Sequence, residues 1–515
     1  MATLAKTAQA SHAAGHHTST ALPKRWLRRP SQKPACCGKV EVVLQKDMSR
    51  EIRPDYQTQH LFPQSLEDWI EADHPARFVR EFVDAIDLST LGLTEEQEAR
   101  RHDRHGRPHY AVDMLLKLWL YAYMNRIRSS RALERGCRDV LPLIWLAGKH
   151  VPDHNTLWRF WNRYRATIRN LFLQSVRVAI RENLVGMVLH ALDGTKIRSA
   201  SSKRSGLHGA DVRKAIDKLD EQIEQLEQQI AAEGEDDDKQ GPDDRLPKQL
   251  EEREVLRTRI KESLAALEQA GREHMHPLDP DARMMVSGGG RMSFAYNAQA
   301  LVDQKQGVIL SADVTSEEND EHQLEPMLKQ TRENVGSYAE TTVMDSGYHT
   351  AAGLGAAEAM GADVLVAVKE KDHKMGPYHT ARFTYDAMTD SVQCPEGQTL
   401  DRQGTRKHKQ KPNALNTYHC KVFKSCPMAT ECSRDPRGRV IEISPHHEAV
   451  KRNRQHPNAR ALLIQRQSVV ERAFAEIKET LGLRRWSFRG LELVKAQWSM
   501  MCAAMNLRRL VAARI

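Results

Sequence analysis

The sequence has no apolar stretch long enough to cross a membrane. Its most apolar run, Val112 to Met124, is short and carries Asp113 and Lys117. The first forty residues contain no acidic residue and no apolar signal-peptide core, only His16-His17, Lys24-Arg25 and Arg28-Arg29 among small residues. An organellar presequence would look similar, as would a translated upstream stretch without a fold. Residues 1–55 are therefore expected to be a disordered or spurious extension. Cysteine is also sparse, 8 in 515 residues, which excludes a disulfide scaffold. Cys137 and Cys502 fall in helical patterns and read as buried thiols.

What is present is a globular composition, 28% charged and 40% hydrophobic, on a chain long enough for two to four domains. The net charge of +9 is unevenly placed, because Glu233-Gly-Glu-Asp-Asp-Asp238 offsets a basic surplus elsewhere. A basic excess gains affinity for polyanions by releasing counterions from phosphate. The plainer reading is a basic enzyme with no such partner.

Residues 56–180 read as all-helical. Apolar residues recur every three or four positions from Phe78 through Ile86, and further helices are expected over Val112–Ile127, Arg131–Cys137 and Thr156–Tyr164. The last follows Pro152-Asp153-His154-Asn155, which offers capping residues. Its Arg159 and Arg163, interleaved with Trp158 and Trp161, suggest a helix-turn-helix that docks on DNA; otherwise the tryptophans are core of an ordinary bundle.

From residue 186 to 370 the pattern is α/β. Met187–Leu192 is an apolar run delivering Asp193 at its end, and Thr341–Met344 ends likewise at Asp345. Strands over Phe294–Val302 and Gly307–Val314, helices over His322–Arg332 and Ala351–Met360, and a strand over Asp363–Val368 complete the series. Within it, residues 211–272 carry Ile216, Leu219, Ile223, Leu226 and Ile230 at heptad spacing, then a looser stripe of Leu250, Leu256, Ile260, Leu264 and Leu267. An antiparallel helical hairpin is expected there, serving dimerisation, DNA clamping or nothing beyond insertion.

Residues 371–455 read as polar and irregular, with Cys394, Cys420, Cys426 and Cys432 clustered. The spacing is not a strict pair motif, so structural Zn2+ and reduced, unliganded thiols are both open, with His446 or His447 as a further ligand. Residues 456–515 are helical and basic. Val470, Phe474, Ile477 and Leu481 make a buried stripe on a helix that also carries Glu471 and, seven residues on, Lys478. Arg484, Arg485 and Arg489 interleave with Trp486 and Phe488, a pattern suited to phosphate contact and base stacking, or to anchoring a turn in the core.

An aspartate at a strand end is usually a turn residue; the informative feature is three acids in distinctive settings. Leu192-Asp193-Gly194-Thr195, Val343-Met344-Asp345-Ser346-Gly347-Tyr348 and Val470-Glu471-Arg472-Ala473-Phe474-Ala475-Glu476-Ile477-Lys478 resemble the signature of DDE-type bacterial insertion-sequence transposases. So do Leu483-Arg484-Arg485-Trp486 and Arg489-Gly490. Upstream, Phe62-Pro63-Gln64-Ser65-Leu66-Glu67, Asp73-His74-Pro75, Ser129-Ser130-Arg131-Ala132-Leu133-Glu134 and Pro152-Asp153-His154-Asn155-Thr156 resemble the N-terminal helical domain of those proteins. The branch most resembled is insertion sequence eleven-eighty-two, over about 60–510.

The resemblance implies an RNase H-like catalytic core with a helical-hairpin and a Cys-containing insertion, preceded by the all-α domain. It further implies that Asp193, Asp345 and Glu471 hold two Mg2+ ions, with Mn2+ able to substitute, for cleavage of double-stranded DNA and its joining to a target. Lys478 carries over as the lysine that grips phosphate. A homodimer on DNA, no membrane, and a bacterial cytoplasmic, nucleoid-associated location follow from the same resemblance. The chain departs from the related signature before the glutamate: Gln467 stands at the expected arginine position and Ile464 at the tyrosine position, with Arg466 as the neighbouring substitute. Alternatives are an RNase H-like nuclease without strand transfer, or a non-catalytic DNA-binding descendant.

Overall fold

The computed structural model describes residues 65–514 except 90, 94–108, 202–206, 235–244, 270–273, 277, 288–289, 369–375 and 408–413. The chain divides into units Met1–Phe62 and Pro63–Ile515, and every described residue belongs to the second. The expected N-terminal extension and the acidic run from Glu235 therefore lie outside the described residues.

Among the described residues a 3-10 turn (Leu66–Trp69) and six α-helices come first: α1 (Pro75–Asp84), α2 (Val112–Met124), α3 (Ser130–Asp139), α4 (Leu141–Leu146), α5 (His154–Tyr164) and α6 (Ile168–Arg181). Their starts follow from local chemistry. Ser129 Oγ accepts from Ala132 N at the head of α3, and Asp153 accepts from the amides of Asn155 and Thr156 at the head of α5. Tyr123 and Trp161 stack inside the bundle, with Trp119 tilted against both. These helices and the sheet that follows share one continuous hydrophobic core, from Ile70 to Leu510.

The sheet is built on β1 (Leu189–Arg198). β3 (Arg291–Asp303) pairs with it antiparallel, and the far edge of β3 carries both β2 (Arg283–Ser287) and β4 (Ile309–Thr315). On the other side β5 (Thr341–Met344) runs parallel to β1, and β6 (Val364–Val366) parallel to β5. Both faces are covered, which is why β3 is buried along most of its length and reads as a near-continuous apolar run. Helix α9 (Leu324–Val335) follows β4 and α10 (Ala351–Ala359) follows β5. Past α11 (His447–Arg454), helix α12 (Ala459–Ala475) lies against β1 and β5, seating Leu462 and Leu463 on Leu189, Val343 and Leu365. The last helix, α13 (Leu491–Arg514), packs on β4 and α6 and buries Trp498 through Leu507. Among the described residues no helix is long and apolar enough to cross a membrane.

Between β1 and β2 the chain forms α7 (Gly209–Gly234) and α8 (Arg245–Gln269). Cross-pairs Arg213–Glu268 and Arg257–Asp220 fix them antiparallel, over a seam of Val212, Ile216, Leu219 and Ile260. Arg259 reaches out of this pair to Asp281, which also accepts from Leu491 N at the head of α13.

Residues 376–443 depart from the sequence expectation. In place of an irregular segment they form a five-stranded antiparallel sheet, in the spatial order Val440–Ile443, Leu415–Cys420, Thr399–Arg406, Ser391–Gln393, Thr384–Asp386. The strands are short and one face is open, so only Phe383, Val392, Leu400, Tyr418, Ile441 and Ile443 form a buried cluster. That leaves too little apolar alternation to stand out in the sequence.

Candidate active site

The register of β1 places the first acid. Asp193 is not at a strand end as expected: β1 continues to Arg198, held there by its antiparallel ladder to β3. Its parallel ladder to β5 stops at the pair Leu192–Met344. Asp193 and Asp345 thus each stand one residue past the same last pair, on neighbouring strands. Asp345 heads a 3-10 turn, its Oδ1 accepting from Gly347 N at 2.8 Å, while Asp193 Oδ1 accepts from Gly194 N at 2.8 Å. Burial, with the Asp345 charge beside it, pushes the Asp193 carboxyl up to about 6 against the opposing pull of Arg466. This is a pocket short of positive charge.

Arg466 supplies part of it. Its guanidinium stands 3.2 Å from Asp193 Oδ2, and the side chain is only 16% exposed. The neighbour that the sequence offered as a substitute therefore does reach the acids, through a carboxylate. Gln467 turns instead to Glu471, donating to its Oε1 at 2.8 Å, and Glu471 is exposed. The expected stripe of Val470, Phe474, Ile477 and Leu481 is buried and fixes this helix on the sheet. Just past Glu471 the helix widens into one π turn, Glu476–Thr480, containing Lys478. Such turns recur at functional sites. Lys478 is half-buried, and burial pulls its pKa down while the Asp193 charge opposes that. Among the described residues no three His, Cys, Asp or Glu side chains are arranged to hold a metal ion, so Glu471 does not join the two aspartates in this arrangement.

Sequence reasoning missed the wall opposite α12. Asp320, in the turn between β4 and α9, accepts from Asn297 Nδ2 at 2.7 Å and from Gln299 Nε2 at 2.6 Å. A Cβ built on Gly194 would lie 2.5 Å from Gln299 Nε2 and 2.6 Å from Asp320 Oδ1; one on Gly347 would lie 3.3 Å from Asp320 Oδ2. Asp320 and the β3 amides leave no room for a side chain at Gly194, and Asp345 and Asp320 leave little at Gly347. Asn297 Oδ1, in a residue 1% exposed, has no hydrogen-bond partner. The residues could have been suspected from Asn297 and Gln299, two amides in an otherwise apolar strand.

Several basic C-terminal residues are engaged within the chain, and of the two readings of the interleaved rings the structure takes the turn anchor. Arg485 donates to the carbonyls of Ser199 and Ala200, and Arg484 pairs with Glu479. Arg508 and Arg509 both pair with Glu476. Trp486 is 2% exposed, and Phe488 packs on Trp158 and Trp161, so these rings anchor the turn and are not offered to a base. Arg489 is exposed, as are Arg159 and Arg163 on the outer face of α5, whose inner face is Leu157, Phe160, Trp161 and Tyr164. Beside them a cleft of about 460 Å3 is lined by Ser129, Ser130, Arg131, His154, Asn155 and Trp158. The helical domain also grips the chain just past α12: Arg126 donates to the carbonyls of Glu479 and Thr480, and Arg128 to those of Leu481 and Gly482.

Cys394, Cys420, Cys426 and Cys432 are free thiols that line one small hollow with Phe383, Leu400 and Phe423. Burial raises Cys420 and Cys432. The zinc expectation finds no support, since these thiols form no metal-holding group among the described residues. His447 packs edge-on against Tyr385.

Two stretches match family models: residues 64–163 match a transposase domain (DUF772), and residues 393–511 match a transposase DDE domain. The second contains Glu471 and Lys478; Asp193 and Asp345 lie outside both. No curated protein and no solved structure matches the chain.

Proposed function

Starting from a chain that is an insertion-sequence-type DDE transposase, an enzyme of DNA cleavage and transfer, we propose that Asp193, Asp345 and Glu471 are its catalytic acids and that it cuts element ends and joins them to target DNA by two-metal phosphoryl transfer. The single observation that carries this reading is the β1–β5 ladder ending at Leu192–Met344, which puts two aspartates side by side in a pocket where burial disfavours the charge of Asp193. Carboxylate oxygens, with the unpartnered Asn297 Oδ1 nearby, suit a hard divalent cation. DDE domains use such ions, typically Mg2+, which when bound lower the pKa of an attacking hydroxyl and neutralise the scissile phosphate.

The chain's own residues do the rest. Asp193 and Asp345 hold negative charge at fixed positions on a rigid sheet, and Glu471 completes the set once it leaves Gln467. Arg466 balances Asp193 in the free protein and would be free to face phosphate with a cation held at Asp193. Lys478, on the π turn, contacts DNA phosphate beside the reacting bond, and Arg159, Arg163 and Arg489 contact the flanking duplex. Arg484 and Arg485 keep their structural tasks. Two copies act together, because two ends must be held for joining.

The test is a cleavage and joining assay on the element's own end DNA, comparing the wild type with Asp345→Ala in Mg2+ and in EDTA. Nicked and joined products that require Mg2+ and vanish in the variant are expected. Nicking without joining would leave a nuclease, and binding without cleavage would remove the catalytic assignment.

A further inference from the structure

Asp320 stands out because everything it touches bears on the acids without being one of them. As a carboxylate it only accepts hydrogen bonds, so both amides that reach it must present their NH2 groups. That choice fixes where the amide oxygens go. Gln299 Oε1 accepts from the Tyr348 hydroxyl, and Asn297 Oδ1 is left buried and unpartnered beside Gly194. Tyr348 belongs to the same turn as Asp345 and is fully buried, near enough to Asp193 and Asp345 for their charges to bear on it.

We propose that Asp320 is a positioning residue of the cleavage site, fixing the direction of the chain Tyr348 to Gln299 to Asp320 so that the tyrosine proton is committed to Gln299 Oε1 and not to Asp193 or Asp345. The two acids then remain pure acceptors, available to a cation. This rests on the catalytic reading above. An asparagine at 320 removes that constraint: its oxygen can still accept both amides, but its NH2 can also turn to Gln299 Oε1, the Gln299 NH2 then turns to the tyrosine oxygen, and the hydroxyl proton is released toward the acids, where it competes with a cation. Proton and donor counts balance in both directions, and only the sense of the chain changes.

The test uses the full chain without DNA, titrated with Mn2+ and followed by the loss of free-ion electron paramagnetic resonance signal, beside nicking of end DNA in Mg2+. Asp320→Asn is expected to weaken Mn2+ binding about tenfold, the usual scale for an outer-shell partner, and to slow nicking at least as much, with end-DNA affinity unchanged. Tyr348→Phe has no proton to misdirect, so alone it stays within about threefold of the wild type, and added to Asp320→Asn it restores Mn2+ binding to within about threefold, well inside the outer-shell range. Restoration separates this role from a simple loss of charge at 320. Wild-type Mn2+ affinity in Asp320→Asn, no restoration in the double variant, or a tenfold loss in Tyr348→Phe alone would each overturn the assignment. If Asp320→Asn fails to fold, Tyr348→Phe still decides by that last criterion. A wild type that nicks while Asp320→Asn nicks equally well removes only the role of Asp320; a wild type that does not nick in Mg2+ removes the catalytic reading and this inference with it.

Discussion

The molecule contains two sheets that solve opposite problems. The larger one is buried on both faces, shares a core with the N-terminal helices, and holds its two aspartates where the parallel β1–β5 ladder stops. The smaller one, within 376–443, rests on six buried residues and leaves much of its surface in water. The first is built for precision: Asp193 and Asp345 cannot move without moving β1 and β5. The second is built from local antiparallel pairings and can tolerate change. Rigid placement of a charged pocket requires surrounding bulk, because each carboxylate disfavours its neighbour and only packing keeps them together.

Glycines break this comparison most sharply. In the large sheet Gly194 has Gln299, Asp320 and Asn297 within 3.0 Å of where its Cβ would be. Gly194→Ala is expected to displace Asp193 and lower nicking by about a hundredfold, the scale for a misplacement near 1 Å, with a loss of about 2 kcal/mol from overpacking. In the small sheet Gly404, at the bulge after Arg402, has open space around its Cβ position. Gly404→Ala should change stability by no more than about 0.5 kcal/mol. Parallel nicking assays and thermal melts of the two variants measure both.

A cavity in the small core sharpens the contrast from the other side. Leu400 is fully buried among five partners, and Leu400→Ala should remove about 3 kcal/mol of local stability. Hydrogen exchange should quicken at Tyr418 and Ile441 and stay unchanged at Ala191 and Val343. Equal quickening in both sheets would show that the two are one cooperative unit.

The same division explains what could be read from the sequence. Apolar runs over Met187–Leu192 and Thr341–Met344, and the stripe of Val470, Phe474, Ile477 and Leu481, are direct consequences of burial, so the strands and the helix that carries Glu471 could be read from the sequence. Strand pairing was not visible, and with it the fact that Asp193 sits mid-strand with Asp345 as its neighbour. Asp320 was hidden because its role comes from two amides on β3, far off in sequence. The small sheet was hidden because one side of each strand is polar. The fate of the arginines was hidden too: whether Arg485 meets phosphate or the Ser199 carbonyl depends on where β1 ends.

A smaller effect tests the foot of β1, where His190 faces Asp303 at 3.5 Å with both buried. Burial works to raise the Asp303 carboxyl, but His190 and the amides of Gly186, Lys305 and Met187 outweigh it and hold it below the usual range. A carboxyl lowered by folding stabilises the native state above its unfolded pKa, and that stability is lost as pH falls through the folded value. Asp303→Asn should therefore melt lower than the wild type at pH 7, by about 2 kcal/mol. The gap should narrow below about pH 4, where the unfolded carboxylate takes up protons. A gap that is constant from pH 7 to pH 3 would show that charge at Asp303 contributes nothing.

The smallest expected effect separates two arginines four residues apart. Arg485 holds the carbonyls of Ser199 and Ala200 and so ties the C-terminal turn to the end of β1, whereas Arg489 is exposed. Losing hydrogen bonds from a charged donor costs about 1–2 kcal/mol, so Arg485→Ala should lower the melting temperature and leave the salt dependence of end-DNA binding as it was. Arg489→Ala should do the reverse: an unchanged melt, and a plot of log affinity against log salt whose slope is shallower by about one contact. If Arg485→Ala is the variant that flattens the slope, its guanidinium leaves the Ser199 carbonyl when DNA arrives, and the end of β1, five residues past Asp193, is then coupled to DNA binding.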